Sequence, residues 1–266
     1  MNEERDWWTW QLKANAEPDP VKREAIFREG LTDFPESVEL NYNFAKFMTY
    51  TRKEYDEAER HYRMALELDP EDTDTIGNLA LFMTNVRKNH DEAERLYRRA
   101  LDIDPEQANI TGNFAAFMYR IRNDNETAEQ LYRKALELDP DHAIHTGNFA
   151  NFISETHKDE DEAQWLYRKA YELDPKDAFN IGNFANFLWE NRKNHNEAER
   201  LYRETLQLDP NHSGHIANFA EFMEKIREDF LEANRLYQRA LELDPNDDWA
   251  KVEYTRFLNE HPEFAK

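Results

Sequence analysis

The sequence contains no cysteine, which excludes disulfide scaffolds, thiol nucleophiles and cysteine-ligated zinc and leaves the redox compartment open. No apolar run approaches the ~20 residues that a membrane-spanning helix needs. Positive charge is scarce too: 34 Lys and Arg stand against 56 Asp and Glu, for a formal net charge of -22. The acidic excess is spread along the chain, and such a surface repels phosphate backbones. Direct nucleic-acid binding and adhesion to membranes are therefore not expected, whereas a basic partner would be steered in. The N-terminal run MNEERDWWTWQLK carries acids where a secretory signal has a basic region and an uncharged apolar stretch. A soluble, cytoplasmic protein is the simplest expectation.

What the sequence does contain is repetition. The pair Asp-Pro recurs at Asp69-Pro70, Asp104-Pro105, Asp139-Pro140, Asp174-Pro175, Asp209-Pro210 and Asp244-Pro245, a step of 35 residues without a slip. A period of this size marks stacked units, each too small to bury its own apolar face and so dependent on the next. The unit is typified by Gly112 to Pro140, GNFAAFMYRIRNDNETAEQLYRKALELDP. Its first half places Phe114, Ala115, Phe117, Met118 and Ile121 on one helical stripe, and the next units repeat this with Phe149, Ala150, Phe152 and Ile153 and then Phe184, Ala185, Phe187 and Leu188. A second amphipathic helix is carried by places such as Ala93, Leu96, Tyr97, Ala100, Leu101 and Ile103. Asn89, Asp124, Asp159, Asn194 and Asp229 are expected to cap the second helices, with Glu92, Glu162, Glu197 and Glu232 three residues on. Arg52, Arg87, Arg122, Arg192 and Arg227 fall near first-helix ends, where a cation suits the helix dipole, and the prolines close the second helices.

Three segments follow. Residues 1–35 form a worn copy of the unit that serves as an N-terminal cap, with Trp7, Trp8 and Trp10 on its first helix and Val21 to Pro35 in the register of Asp56 to Pro70. Residues 36–245 hold six repeats. Residues 246–266 hold a C-terminal capping helix and tail, its apolar side expected at Trp249, Val252 and Phe257.

Paired helices with alanine at tight positions, a tyrosine in the second helix and a closing proline resemble the tetratricopeptide-repeat family, most closely in Glu92 to Pro105, EAERLYRRALDIDP, and its copies. The resemblance implies an all-α fold, a right-handed α-solenoid superhelix of helix-turn-helix repeats. Two departures stand out. The family unit is about 34 residues, and the extra residue here is expected in the turn near Arg87 to His90. Gly77, Gly112, Gly147 and Gly182 stand inside first helices at a cost of about 1 kcal/mol each, which points to close packing or an open backbone surface. The 35-residue pentatricopeptide repeats, which read RNA, fit poorly with an acidic array. Half-a-TPR repeats of RNA-processing scaffolds are echoed by Phe184-Ala185, but Ile181 and Leu188 stand where their Trp and acid are sought.

In tetratricopeptide-repeat proteins the first helices line a concave surface that holds an extended peptide. Carried over place by place, the resemblance puts there a column of Asn43, Asn78, Asn113, Asn148, Asn183 and Asn218, and three residues on Lys46, Leu81, Ala116, Asn151, Asn186 and Glu221. A carboxamide both donates and accepts, so a column of them can pair with a peptide backbone; it can equally bond to neighbouring helices and hold repeats in register. Tyr119, Phe179 and Trp189, with Arg120, Glu155 and Glu190, stand near the middle of the column, either as binding aromatics or as packing between helices. Lys46, Arg120 and Lys225 lie in separate repeats, too scattered for a clamp on an acidic tail, so a neutral or basic extended segment is the expected partner.

Catalysis has no visible support: there is no glycine-rich phosphate loop, nucleophile elbow or distinctive carboxylate pair. His142/His145 and His212/His215 could share a helical face, but neither pair has a third ligand. No enzyme activity, metal or cofactor is expected. The function expected is a non-catalytic protein-protein interaction scaffold. The alternatives are a self-assembling structural protein, its Trp-bearing or C-terminal end docking on another copy, and a half-a-TPR-like scaffold in an RNA-processing complex.

Overall fold

Each Asp-Pro pair is a helix stop with a defined geometry. The residue before proline is pushed out of the helical region, so Asp69 and Asp104 lie at φ -132° and -133°. Their carboxylates then accept from the amides two residues on, Glu71 at 3.0 Å and Glu106 at 3.0 Å. The same turn recurs at Asp139, Asp174, Asp209 and Asp244.

The computed structural model describes residues 6–156 and 159–265; Glu3 and Glu4 of the N-terminal acidic run lie outside the described residues. Two compact units are present, Met1–Leu138 and Asp139–Lys266. The first holds four helix pairs: α1 (Trp7–Ala16) with α2 (Pro20–Asp33), α3 (Val38–Phe47) with α4 (Tyr55–Leu68), α5 (Thr73–Phe82) with α6 (His90–Ile103), and α7 (Ala108–Phe117) with α8 (Asn125–Leu138). The second holds α9 (Ala143–Thr156) with α10 (Glu160–Leu173), α11 (Ala178–Glu190) with α12 (His195–Leu208), α13 (Ser213–Phe222) with α14 (Phe230–Leu243), and a lone α15 (Asp248–Glu260). Within each unit a first helix packs along its own second helix, and that second helix packs on the next first helix. The architecture is an all-α solenoid of helical repeats. No strand occurs among the described residues.

At several joints the core is a tyrosine held by two phenylalanines of the following repeat. Tyr97 lies 5.3 Å from Phe114 and 5.7 Å from Phe117, and Tyr202 lies 5.2 Å from Phe219 and 5.4 Å from Phe222, measured between ring centroids. Burying one such side chain is worth about 1.5–3 kcal/mol, and the area exists only when the next repeat is in place.

The in-helix glycines are explained by the same joints. A Cβ on Gly77 would stand 2.9 Å from Ile110, one on Gly147 would stand 2.0 Å from Asn180 Oδ1, and one on Gly182 would stand 2.5 Å from the His215 ring. Each is a socket for a side chain of the next first helix. Trp10, buried where Trp8 is exposed, fits Gly30 in the same manner at the N-terminal cap.

The expected caps form. Asn89, Asp124, Asp159, Asn194 and Asp229 each accept from the amide three residues later. In two of them the acid bonds to the cap itself, as Asn89 Nδ2 donates to Glu92 Oε2 at 2.9 Å and Asn194 Nδ2 to Glu197 Oε2 at 2.8 Å. The first-helix arginines do more than face a dipole. Arg87 pairs with Glu59 at 2.7 Å and Asp56 at 2.6 Å, Arg122 with Glu94 and Asp91, and Arg227 with Glu199, each time on the preceding second helix.

α3, α5, α7 and α13 end in π-helical turns, at Met48–Arg52, Met83–Arg87, Met118–Arg122 and Met223–Arg227. A π turn holds one residue more than an α turn; α11, in the same register, ends without one. The residue that follows adopts positive φ although none is glycine: Lys53, Lys88, Asn123 and Glu228, with Lys193 doing so after α11.

α15 corrects one expectation. Its buried residues are Ala250 and Phe257, while Trp249 and Val252 are 42% and 64% exposed. A 100° step per residue puts positions 250, 254 and 257 on one face, and Trp249 falls off it.

Candidate functional site

All six asparagines of the main column are half-buried. In the first unit two of them are engaged locally. Asn43 Nδ2 donates to Glu39 O at 2.8 Å, and Asn78 Nδ2 donates to Asp74 O at 2.9 Å and to Tyr42 Oη at 3.0 Å. Asn113 lies in register on α7, and Asn148 and Asn218 lie on α9 and α13 of the second unit.

Asn183 differs because other candidate residues surround it. Asn151, Ser154 and Glu155 of α9 and Asn183, Asn186 and Glu190 of α11 line one cavity of about 160 Å³, closed by Asn191, with Tyr167 and Phe187 also in its wall. Helical spacing accounts for this: residues 151 and 155 are four apart, and 183, 186 and 190 are three and four apart, so each set shares a face. The two first helices thus put four carboxamides and two carboxylates around one space.

Two of those carboxamides are oriented from behind. Tyr167 Oη donates to Asn151 Oδ1 at 2.6 Å, and Tyr202 Oη donates to Asn186 Oδ1 at 2.5 Å. With its oxygen turned to a buried phenol, each side chain leaves its NH2 end as the group available to a ligand. Glu190 is held above the usual carboxylate range, first by loss of solvent and then by the negative charges of Glu221 and Glu155, with Lys193 and Lys225 acting the other way. Lys193 Nζ donates to the backbone oxygen of Glu190 at 2.5 Å, and Lys225 is paired with Glu221.

The aromatic candidates are placed elsewhere. Trp189 is 8% exposed and meets Phe222 edge-on at 5.8 Å, so it packs between helices. Phe179 is exposed in the first turn of α11, with its ring 5.8 Å from His215. Tyr119 is half-buried in the π turn that ends α7. Ser154, Asn191 and Tyr167 join the cavity without having been singled out by the sequence; the available signal for Tyr167 was its sixteen-residue distance from Asn151, which Tyr202 and Asn186 repeat.

The histidine pairs have a helix-capping role. His142 Nδ1 accepts from the His145 amide at 3.3 Å and His212 Nδ1 from the His215 amide at 3.2 Å. The rings of each pair stack at 3.8 and 4.0 Å between centroids, so their nitrogens do not converge on one ion. Glu224, Glu260 and His261 bring ligand atoms within 4.8 Å of one another, but the Arg256 guanidinium already bridges the two carboxylates, Nη1 lying 2.7 Å from Glu224 and 3.0 Å from Glu260. No helix among the described residues is long and apolar enough to cross a membrane.

The family model for the tetratricopeptide repeat matches residues 113–142, from the second half of α7 through α8. Over this stretch the chain is similar to the tetratricopeptide-repeat family. Solved structures agree on the fold. A tetratricopeptide repeat protein from Parabacteroides merdae is 14% identical with a TM-score of 0.71, covering 95% of this chain and 98% of its own. The Cut9-Hcn1 hetero-tetramer of APC/C contains a chain 15% identical with a TM-score of 0.79, covering 90% of this chain and 46% of its own. YrrB, described as a TPR protein with an unusual peptide-binding site, is 18% identical with a TM-score of 0.50, covering 73% of this chain and 97% of its own. No curated protein matches the sequence.

Proposed function

We propose that the chain is a non-catalytic protein-protein interaction scaffold of the cytoplasm, whose asparagine-lined face holds an extended, neutral or basic segment of a partner protein. The observation that carries this reading is the meeting of Asn151, Asn183 and Asn186 in one polar cavity. Donors fixed by Tyr167 and Tyr202 suit the carbonyls of an extended backbone, which presents unpaired groups at regular intervals. Two structural neighbours support it by analogy: YrrB is described by its peptide-binding site and Cut9 by its complex with Hcn1. Asn148 and Asn218 hold the register place of Asn183 in the same unit, and Asn113 holds it in the first.

The test is an affinity capture from nuclease-treated lysate with the wild type and with Asn113, Asn148 and Asn183 changed together to alanine. Each lost hydrogen bond is expected to weaken binding by about 0.5–1.5 kcal/mol, with the melting temperature nearly unchanged. A partner lost from the still-folded triple variant supports the reading. One retained by both proteins moves the site off this face, and a large loss of stability assigns the asparagines to structure.

A further inference from the structure

Asn151 and Asn186 hold the same place in two successive first helices, and each is gripped by the tyrosine sixteen residues on, Tyr167 donating to Asn151 Oδ1 and Tyr202 to Asn186 Oδ1. Their NH2 groups are therefore copies of one donor, one repeat apart. We propose that this pair reads a polyproline II helix, each amide donating to a backbone carbonyl three residues from the other, so that the bound segment is rich in proline. The inference rests on the interaction reading above and names the conformation and composition which that reading leaves open.

Spacing selects the conformation. α9 and α11 approach to within 8 Å between Cα atoms, and Asn180 is seated against Gly147 between them. Helices packed side by side stand about 8–10 Å apart. A chain that satisfies both amides in the same way must repeat its carbonyl at that distance. In a β-strand the carbonyls on one side recur every second residue, at about 6.6–6.8 Å and then at about 13 Å, so one falls short of the repeat and the next overshoots it. In polyproline II three residues complete a turn and advance about 9.3 Å, which returns every third carbonyl to the same side. That advance matches one repeat.

Polarity points the same way. With their oxygens given to the phenols, Asn151 and Asn186 offer hydrogens only. Proline has a carbonyl and no N–H, so a proline-rich segment asks for donors and leaves no donor of its own unmet. It brings no anion to Glu155 and Glu190, which share the cavity, and Tyr167 and Phe187 in the wall give its rings an apolar surface. Polyproline II also forms before binding, so little order is lost on docking. The register confines the site to this pair, since the equivalent places hold Lys46, Leu81, Ala116 and Glu221 in the other full repeats.

The experiment compares a labelled oligoproline with a glycine-serine chain of the same length, about twelve residues, by fluorescence anisotropy, and selects binders from a random linear-peptide library in parallel. The proteins are the full chain, Asn183→Ala, and the double variant Asn151→Asp with Asn186→Asp, which keeps an acceptor for each phenol and removes the NH2. Circular dichroism checks that each is folded. The full chain is expected to select proline-rich sequences and to bind oligoproline about tenfold tighter than the glycine-serine chain, and the double variant to lose about fivefold per donor removed. Selected sequences poor in proline that bind less well to Asn183→Ala, with oligoproline no better than glycine-serine, overturn the polyproline inference and leave the groove reading standing. A proline preference unchanged in the double variant overturns the inference as well. If the double variant does not fold, the two peptides on the full chain still decide. A full chain that binds no peptide, or peptides bound equally by all three proteins, overturns the groove reading and the inference with it.

Discussion

Arg256 and Glu224 form a two-pronged ion pair, with Nη1 2.7 Å from Oε1 and Nη2 2.7 Å from Oε2, and Glu224 is only 5% exposed. Tyr237 donates to the same carboxylate at 3.1 Å. The pair fastens α15 to the turn that ends α13. Arg256→Met leaves the buried carboxylate with one neutral donor, and breaking a buried pair in this way costs about 3–5 kcal/mol. Arg256 is itself 30% exposed, so a loss below that range, about 2–3 kcal/mol, is expected. Hydrogen exchange should show α15 opening before the rest of its unit; unchanged protection of α15 would refute this.

The glycine sockets give a second prediction. Gly182→Ala improves helix propensity by about 1 kcal/mol, yet its methyl would stand 2.5 Å from the His215 ring. Overpacking costs about 1–3 kcal/mol, so a net loss of stability is expected in urea unfolding. Adding His215→Ala should restore much of it. A Gly182→Ala variant as stable as the wild type would show that the joint has slack.

Acid should weaken the fold through buried histidines. Burial lowers the pKa of His145 and His215 to about 4, with the like charge of His142 or His212 adding to the effect, and burial likewise lowers His61 to about 4. The ordinary value is about 6.5, so below that pH the unfolded chain takes up protons that the native chain refuses. Stability is therefore full above pH 6.5 and is lost as pH falls towards 4, by up to about 3 kcal/mol per histidine. His215→Asn, which installs the residue found at the equivalent Asn180, should flatten part of this slope between pH 6.5 and 4.5. An unaltered slope would place the acid sensitivity elsewhere.

Lys88 holds φ 56° after the π turn of α5, a conformation that costs a side-chain-bearing residue about 1–2 kcal/mol. Glycine gives back some of that gain through its freer unfolded chain, about 0.4–1 kcal/mol. Lys88→Gly is expected to raise stability by up to about 1 kcal/mol and Lys88→Val to lower it, as read from thermal unfolding. Equal melting temperatures for the two would contradict the assignment.

Helix pairs, second-helix caps and stop signals were legible in the sequence because each is a local pattern, written several times over. Asn89 caps as its position predicts because a cap needs only its own next turn. What depended on the neighbouring repeat was harder to read. Trp189 has the pattern of a binding aromatic, but Phe222 covers it. The glycines left packing and exposure equally open until Ile110, Asn180 and His215 were seen against them. The asparagine column was visible as a row of like residues, yet nothing local distinguishes Asn183, in a cavity with two acids, from Asn43, tied to its own helix. Glu155 and Glu190 drew attention by register, whereas the orienting role of Tyr167 required contact across a helix pair.

The sockets also bear on how such an array tolerates rearrangement. The receiving residue is glycine in Gly77, Gly147 and Gly182, while the inserted one is isoleucine, asparagine and histidine in turn. Each junction is thus keyed by a different tooth in a common lock. Deleting or duplicating one repeat would keep every helix pair intact and still bring a tooth of the wrong polarity or volume to the next lock. A chain that looks modular along its length has an order of parts that its junctions enforce.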